Sequence, residues 1–180
     1  MSQFEFIFVL ISIVAGLALA QLLSGLTRSR RGSDGTVDTA HIAFSLAIVV
    51  LLITVWWSTF RWEDYEFWTF TEFSLLCGYI SLFYVMAVIL YPTHSALVPQ
   101  FSEIRVRFYA AFIFYCALEI GVIYIRDGVF SPWYYIPMMI HLILLSSLGV
   151  LLRKNRFDQF FAVWLCLVNF LWPFFARLTG

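Results

Sequence analysis

Six long apolar runs, separated by short polar segments, constrain the fold of this 180-residue chain more than any other feature. A helix that crosses the hydrocarbon core of a bilayer needs about 20 mostly apolar residues. Such runs occupy residues 4–26, 42–60, 73–91, 108–125, 133–152 and 160–178. The sequence therefore predicts an all-α, polytopic membrane protein, a single six-transmembrane-helix bundle that covers residues 1–180 as one domain.

The composition agrees with a lipid environment. The chain is 62% hydrophobic and only 12% charged, about half the charge of an ordinary soluble domain. The apolar residues form blocks instead of alternating at a strand or helix period, which indicates surfaces that face lipid and not the core of a large soluble domain. Because the net charge is zero, no nucleic-acid partner is expected, and the bilayer is the expected surroundings.

Basic residues predict the orientation of the bundle. Loops one, three and five carry most of the Lys and Arg, and cytoplasmic loops are enriched in these residues. The predicted cytoplasmic side holds Arg28, Arg30, Arg31, Arg105, Arg107, Arg153, Lys154 and Arg156. The opposite side holds only Arg61, Arg126 and Arg177. Both termini are therefore expected outside the cytoplasm.

Tryptophans support the same orientation independently of charge. Trp prefers the boundary between lipid and water, where its ring lies among headgroups and its N–H reaches water. Six of the seven tryptophans fall at the predicted outer boundary, namely Trp56, Trp57, Trp62, Trp68, Trp133 and Trp172. On the inner side, the apolar residues between Leu97 and Phe108 recur at helical spacing among charges, which predicts a short helix along the cytoplasmic interface.

Three polar residues inside apolar runs are the candidate functional site. Glu119, His141 and Asn169 are each seven or eight residues from the outer end of spans four, five and six, about 10 Å deep at ~1.5 Å per residue. Ionisable residues at such depth often line a pathway, which predicts an outward-facing ligand or ion pocket with Arg126 at its mouth. The alternative is that they are hydrogen bonds between helices.

Two further groups of residues are candidates for interaction. An acidic outer rim consists of Glu63, Asp64, Glu66 and Glu72; it would concentrate cations near the pocket. On span one, small residues recur at every fourth position and allow close approach of another helix. This stripe, which consists of Ser12, Gly16, Ala20 and Ser24, predicts helix packing within the chain or in a homo-oligomer.

Neither catalysis nor a cofactor is expected. The sequence has no GxSxG, HExxH, GxGxxG or P-loop motif, so no recognisable nucleophile, dinucleotide or phosphate site is present. Among the three histidines only His141 is deep, and the three cysteines have no CxxC spacing. These patterns predict no metal site, no haem and no disulfide framework.

Parts of the sequence resemble a family of short bacterial six-helix integral membrane proteins. The similarity rests on the opening FEFIFVLISIVAGLALAQLLSGLTR, on the Trp56-Trp57 pair, and on Pro92 followed by Arg105-x-Arg107-Phe108-Tyr109. This resemblance implies a multi-pass protein of the bacterial inner (cytoplasmic) membrane. It implies no activity, ligand or functional residue.

Two classes of function fit these patterns. The first is a small cation or proton channel or transporter, in which the acidic rim attracts the cation and side-chain oxygens replace part of its hydration shell. The second is a non-transporting membrane subunit or sensor that binds a partner protein or a ligand. The sequence slightly favours transport, although the predicted inner half offers few polar residues, chiefly Gln21, Ser24 and Ser45.

The orientation leads to a labelling prediction. A cysteine placed at Glu66 should react with a membrane-impermeant maleimide added to intact cells, because Glu66 lies in a predicted outer loop. A cysteine at Asp34, in a predicted cytoplasmic loop, should react only after the cells are opened. Labelling of the Asp34 position in intact cells would show that the topology is the inverse of the predicted one.

Overall fold

The computed structural model describes residues 3–29, 38–63, 65, 68–93, 98–128 and 133–178, without the side chains of Ser29, Asp127 and 172–178. Within these ranges the chain is helical and contains no strand. The six helices are α1 (Gln3–Ser29), α2 (Thr39–Ser58), α3 (Phe70–Leu90), α4 (Phe101–Asp127), α5 (Tyr135–Leu152) and α6 (Asn155–Leu178), and a 3₁₀ turn (Thr59–Trp62) extends α2. The all-α prediction is confirmed.

Five of the helices, α1 to α5, are long and apolar enough to cross a membrane. This supports a multi-pass membrane protein, as the apolar runs predicted. Helix α6 covers the sixth predicted run, and its membrane crossing stays a prediction, as does the orientation of the termini.

Local capping signals set several helix boundaries. The Asp38 side chain accepts hydrogen bonds from the backbone N–H groups of Ala40 and His41 and so begins α2. Thr69 and Glu72 form a capping box at the start of α3, which satisfies two backbone donors that a helix leaves unpaired. Helix α4 ends at Gly128, whose φ of 67° is left-handed, a conformation that glycine adopts without a side-chain clash.

Successive helices run in opposite directions. Contacts between the start of one helix and the end of its neighbour show this. The ring of Phe8 on α1 stacks on that of Trp56 on α2, Ser45 of α2 bonds Tyr91 just beyond α3, and Glu119 near the end of α4 bonds Tyr135 at the start of α5. We call the end that holds Trp56, Trp57, Trp62, Trp68 and Trp133 the tryptophan end. The other, which holds Arg28, Arg105, Arg107, Arg153 and Arg156, is the arginine end.

Helices α1, α2 and α6 do not pack mainly against their neighbours in sequence. Helix α1 packs chiefly on α3, and α2 chiefly on α6, while α4 lies between α3 and α5. Phe44 of α2 joins these layers, since its ring is 4.5 Å from that of Phe101 on α4 and 5.9 Å from that of Phe161 on α6. Aromatic rings at these distances attract each other in addition to burying apolar area.

The prediction of a short interfacial helix before span four is wrong. Helix α4 is continuous from Phe101, and Phe101, Ile104 and Phe108 are buried in the core. Two interactions stabilise this arrangement. Asp38 accepts a hydrogen bond of 2.7 Å from the backbone N–H of Phe101, which joins the starts of α2 and α4, and Arg105 has a buried acidic partner.

The buried partner of Arg105 is Asp158 in the first turn of α6. Both residues are almost inaccessible, at 5% and 1% exposure. Nε and Nη2 of Arg105 lie 2.9 and 2.6 Å from Oδ2 of Asp158. Asn155 accepts from Nη2 at 2.7 Å, and the hydroxyl of Tyr109 donates to Oδ1 of Asp158 at 2.8 Å. These hydrogen bonds offset the desolvation of both charges.

A second polar group at the arginine end centres on Tyr91, which follows α3. Its ring lies against Gly25 so closely that a Cβ on that glycine would be 2.0 Å from the ring. The hydroxyl of Tyr91 is 2.9 Å from Oγ of Ser45, and its ring centroid is 4.8 Å from that of His41. Tyr91 thereby holds α1, α2 and α3 together.

Replacing Gly149 by Ala should destabilise the bundle. A Cβ there would lie 2.4 Å from the ring of Tyr109, and that ring cannot move away because its hydroxyl is bonded to Asp158. We expect a loss of about 1–3 kcal/mol, typical of overpacking, measured by unfolding of the purified protein in detergent. Gly121→Ala is the matched control, since nothing lies within 4 Å of its added Cβ. Equal stability of the two variants would contradict this packing.

Removing one partner of the Arg105–Asp158 pair should cost more than removing both. Arg105→Leu leaves Asp158 charged and buried, for which a loss of about 3–5 kcal/mol is expected. The double variant with Asp158→Leu should recover part of this loss in the same unfolding measurement. Arg107→Leu serves as the control, because Arg107 is exposed on the same helix. An Arg105→Leu effect no larger than that of the control would show that the pair is not buried.

Candidate functional site

Glu119 lies within α4 and forms a polar group between α3, α4 and α5. Its side chain is half-buried, and its Oε1 accepts a hydrogen bond from the hydroxyl of Tyr135 on α5. Oε2 is buried, and no donor in the described part of the chain meets it in hydrogen-bonding geometry. Glu119 is therefore bonded through Oε1, whereas Oε2 has no hydrogen bond among the described residues.

Two more tyrosines and an arginine complete the surroundings of this carboxyl group. Tyr79 of α3 and Tyr115 of α4 are both buried, their hydroxyl oxygens are 3.1 Å apart, and their rings stack at 5.2 Å. Both hydroxyls are close enough to interact with Glu119, and so is Arg126 in the last turn of α4. We call Glu119, Tyr79, Tyr115, Tyr135 and Arg126 the Glu119 cluster.

The Glu119 cluster combines groups that can donate and accept hydrogen bonds. A tyrosine hydroxyl both donates and accepts, so it can donate to a carboxylate or accept from a carboxylic acid. An ionised carboxylate within apolar surroundings needs such donors or a nearby positive charge, and Arg126 supplies the charge. The cluster can thus accommodate Glu119 in either protonation state by turning hydroxyl groups.

His141 does not join the Glu119 cluster. The face of α5 that contacts the bundle holds Tyr135, Met139 and Leu142, and His141 lies about 120° around the helix from Tyr135 at 3.6 residues per turn. Its side chain is exposed, and its Nε2 accepts a hydrogen bond of 3.0 Å from Nε1 of Trp164 on α6.

Asn169 also has a partner other than Glu119. It is buried, at 8% exposure, and its Nδ2 donates to the carbonyl of Leu165 one turn earlier in α6 at 2.8 Å. The structure therefore brings Glu119 together with tyrosines, and His141 and Asn169 make their hydrogen bonds elsewhere. A joint role of the three in a permeation path stays a prediction.

The predicted acidic rim is described only in part. Glu72 accepts from the hydroxyl of Tyr65 and from Thr69, so it fixes the start of α3. The hydrogen bond to this carboxylate raises the pKa of the Tyr65 phenol above its ordinary value. Glu63 is exposed just after the 3₁₀ turn, and Asp64 and Glu66 lie outside the described residues. Attraction of cations by these acids stays a prediction.

Three of the four residues of the small-residue stripe on α1 face away from the bundle. The inner face of α1 is formed by Ile7, Ile11, Ala15, Ala18 and Leu22, all buried. On the stripe, Ser12 is half-buried and accepts a hydrogen bond from Trp56 of α2 at 3.3 Å.

The other three residues of the stripe, Gly16, Ala20 and Ser24, are exposed. A Cβ on Gly16 would meet no atom within 4 Å. Packing of this face in a homo-oligomer or against a membrane-protein partner stays a prediction.

Two surface clefts lie near the ends of the bundle. One, of about 440 Å³, lies between α1 and the start of α3 beside Phe6, Trp68 and Phe73. The other, of about 300 Å³, lies between the end of α3 and the start of α4 beside Ile89 and Arg107. Neither is lined by Glu119, His141 or Asn169. Among the described residues no group of three His, Cys, Asp or Glu side chains is placed to hold a metal ion.

Sequence reasoning missed the tyrosines of the Glu119 cluster, and two signals were present. Tyr115 is four residues before Glu119, which places both on one face of α4. Trp164 is the one tryptophan that does not lie at the predicted outer boundary, and it is the partner of His141. The spacing of Tyr115 from Glu119 and the unusual position of Trp164 were thus the signals of these two contacts.

No family model matches this chain, and no curated protein and no solved structure is significantly similar to it.

Proposed function

We propose that this protein is a membrane-embedded sensor or accessory subunit that responds to protonation of Glu119, and that it does not conduct ions. The observation that carries the proposal is the Glu119 carboxyl group itself. One oxygen is held by Tyr135, and the other is buried without a hydrogen bond among the described residues. Proton binding at such a group changes the donors and acceptors that its tyrosine neighbours need.

Aromatic packing favours a sensor over a channel. Between the Glu119 cluster and the arginine end, the core contains stacked and edge-on rings. Tyr115 is 5.8 Å from Phe112 and 5.1 Å from Phe83, and Phe112 is 6.4 Å from Phe108, measured between ring centroids. A conducting path needs polar groups along its length, whereas these rings fill the corresponding part of the bundle with apolar surface.

The Glu119 cluster is placed to pass a change in protonation to neighbouring helices. Glu119 and Tyr115 are on α4, Tyr79 is on α3 and Tyr135 is on α5. A proton on the carboxyl group would turn it from an acceptor into a donor toward one of these hydroxyls. The resulting change in hydrogen bonds would alter how α3 and α5 pack on α4. A partner protein could detect this change at the surface of the bundle.

Two measurements on the purified protein test this function. In liposomes, neither the wild-type protein nor Glu119→Gln should carry cation or proton flux above that of empty vesicles. In infrared difference spectra recorded against pH, the wild-type protein should show the C=O band of a carboxylic acid that titrates, because Glu119 exchanges its proton. Glu119→Gln should lose the part of this band that comes from Glu119 and keep the part that comes from the other carboxyl groups.

Glu103→Gln is the matched control, since Glu103 is an exposed glutamate on the same helix; it should keep the titrating band. Flux that is present in the wild-type protein and lost in Glu119→Gln would instead establish transport. Spectra that are the same for wild type and Glu119→Gln would show that Glu119 is not the responsive group.

A further inference from the structure

The hydrogen bond between Trp164 and His141 fixes the tautomer of the histidine. An indole N–H can only donate, so Nε2 of His141, 3.0 Å from Nε1 of Trp164, must be the acceptor. A neutral imidazole that accepts at Nε2 carries its proton on Nδ1. No acceptor among the described residues bonds Nδ1, so an N–H donor is left open on an exposed side chain.

This donor lies in an apolar groove between α5 and α6. The two helices have little mutual contact, because α5 packs on α4 and α6 packs on α2. The exposed residues one turn from His141 and Trp164 are apolar: Pro137 and Leu144 on α5, and Phe160 and Leu167 on α6. The ring of Trp164, 37% exposed, lies edge-on to His141 with centroids 5.8 Å apart.

The depth of the donor disfavours water and phospholipid ester groups as its partners. His141 is the seventh residue of α5, so it lies about 9 Å from the start of that helix at ~1.5 Å per residue. Helix α5, at about 27 Å, has roughly the thickness of the hydrocarbon core. Water and phospholipid ester groups are scarce inside that core, which favours an acceptor for Nδ1 that is dissolved in it.

We propose that the groove between α5 and α6 binds a quinone-type ligand, whose carbonyl oxygen accepts from Nδ1 of His141. A quinone matches each feature of the groove: a carbonyl acceptor for the single donor, a flat ring for the face of Trp164, and an apolar tail for the surface around Phe160 and Leu167. A few placed polar groups in an apolar cleft are typical of small-molecule sites. This binding does not depend on protonation of Glu119.

Titration of the protein in lipid nanodiscs with a benzoquinone that carries one isoprenoid unit tests the site. Calorimetry should show saturable binding to the wild-type protein. His141→Phe keeps a ring of similar size and removes the donor, so its affinity should be about tenfold weaker, equivalent to ~1.4 kcal/mol. In spectra of ¹⁵N-labelled histidine, the Nδ1–H tautomer should be present before titration, and its Nδ1 signal should shift on binding.

Matched controls separate the hydrogen bond from apolar partitioning. His141→Gln restores an N–H donor and should bind more tightly than His141→Phe. Val85→Leu, at an exposed apolar position on α3, should bind like the wild type. A ring compound that carries the same tail without the carbonyl oxygens should not saturate. Unfolding measured for each variant checks that the bundle is intact, which is expected because His141 is on the outer surface.

Other results would overturn the proposal. Equal affinities of wild type and His141→Phe, or equal binding of the compound without carbonyls, would show that no carbonyl is recognised at His141. Displacement of the quinone by added phospholipid, with the same dependence on His141, would assign the groove to a lipid ester. Absence of quinone binding together with a dimer that His141→Phe dissociates would assign it to a second copy of the chain.

Discussion

The ion pair between Arg105 and Asp158 is the interaction on which the arrangement of the arginine end depends. It places two charges in the core at the starts of α4 and α6, where Asn155 accepts a further hydrogen bond from Arg105 and Tyr109 donates one to Asp158. The same Tyr109 ring lies against Gly149, which brings the end of α5 to the site. Any arrangement that separated Arg105 from Asp158 would leave a charge unpaired in the core, and this favours the meeting of α4 and α6.

A column of aromatic rings separates this ion pair from the Glu119 cluster. Tyr109, Phe112 and Tyr115 follow one another along α4 and contact rings of α2, α3 and α6. The two polar groups have different character: the acid at the arginine end is fully bonded, whereas Oε2 of Glu119 has no bonded donor among the described residues. This difference is why a structural role is assigned to Asp158 and a responsive role to Glu119.

The polar residues inside the apolar runs were recognisable from the sequence, and their partners were not. Glu119, His141 and Asn169 lie at similar depth, which suggested that they meet. Depth follows from position along a helix, but contact also requires that the side chains face each other. Tyr135 faces α4, and His141 is about 120° around the same helix, so Glu119 bonds the tyrosine and His141 bonds Trp164.

Segments of the chain that suit a bilayer were evident from residue order alone, because transfer from water into lipid depends on local composition and length. Capping residues such as Asp38 and Thr69 likewise act on their own helices. The sequence did not show which helices are neighbours or how each helix is rotated about its axis. Lipid tails are as apolar as leucine, so hydrophobicity cannot distinguish an inner face of a helix from an outer one. Contacts between individual residues, such as Arg105 with Asp158 and Gly25 with Tyr91, determine which faces of the helices meet in the tertiary structure.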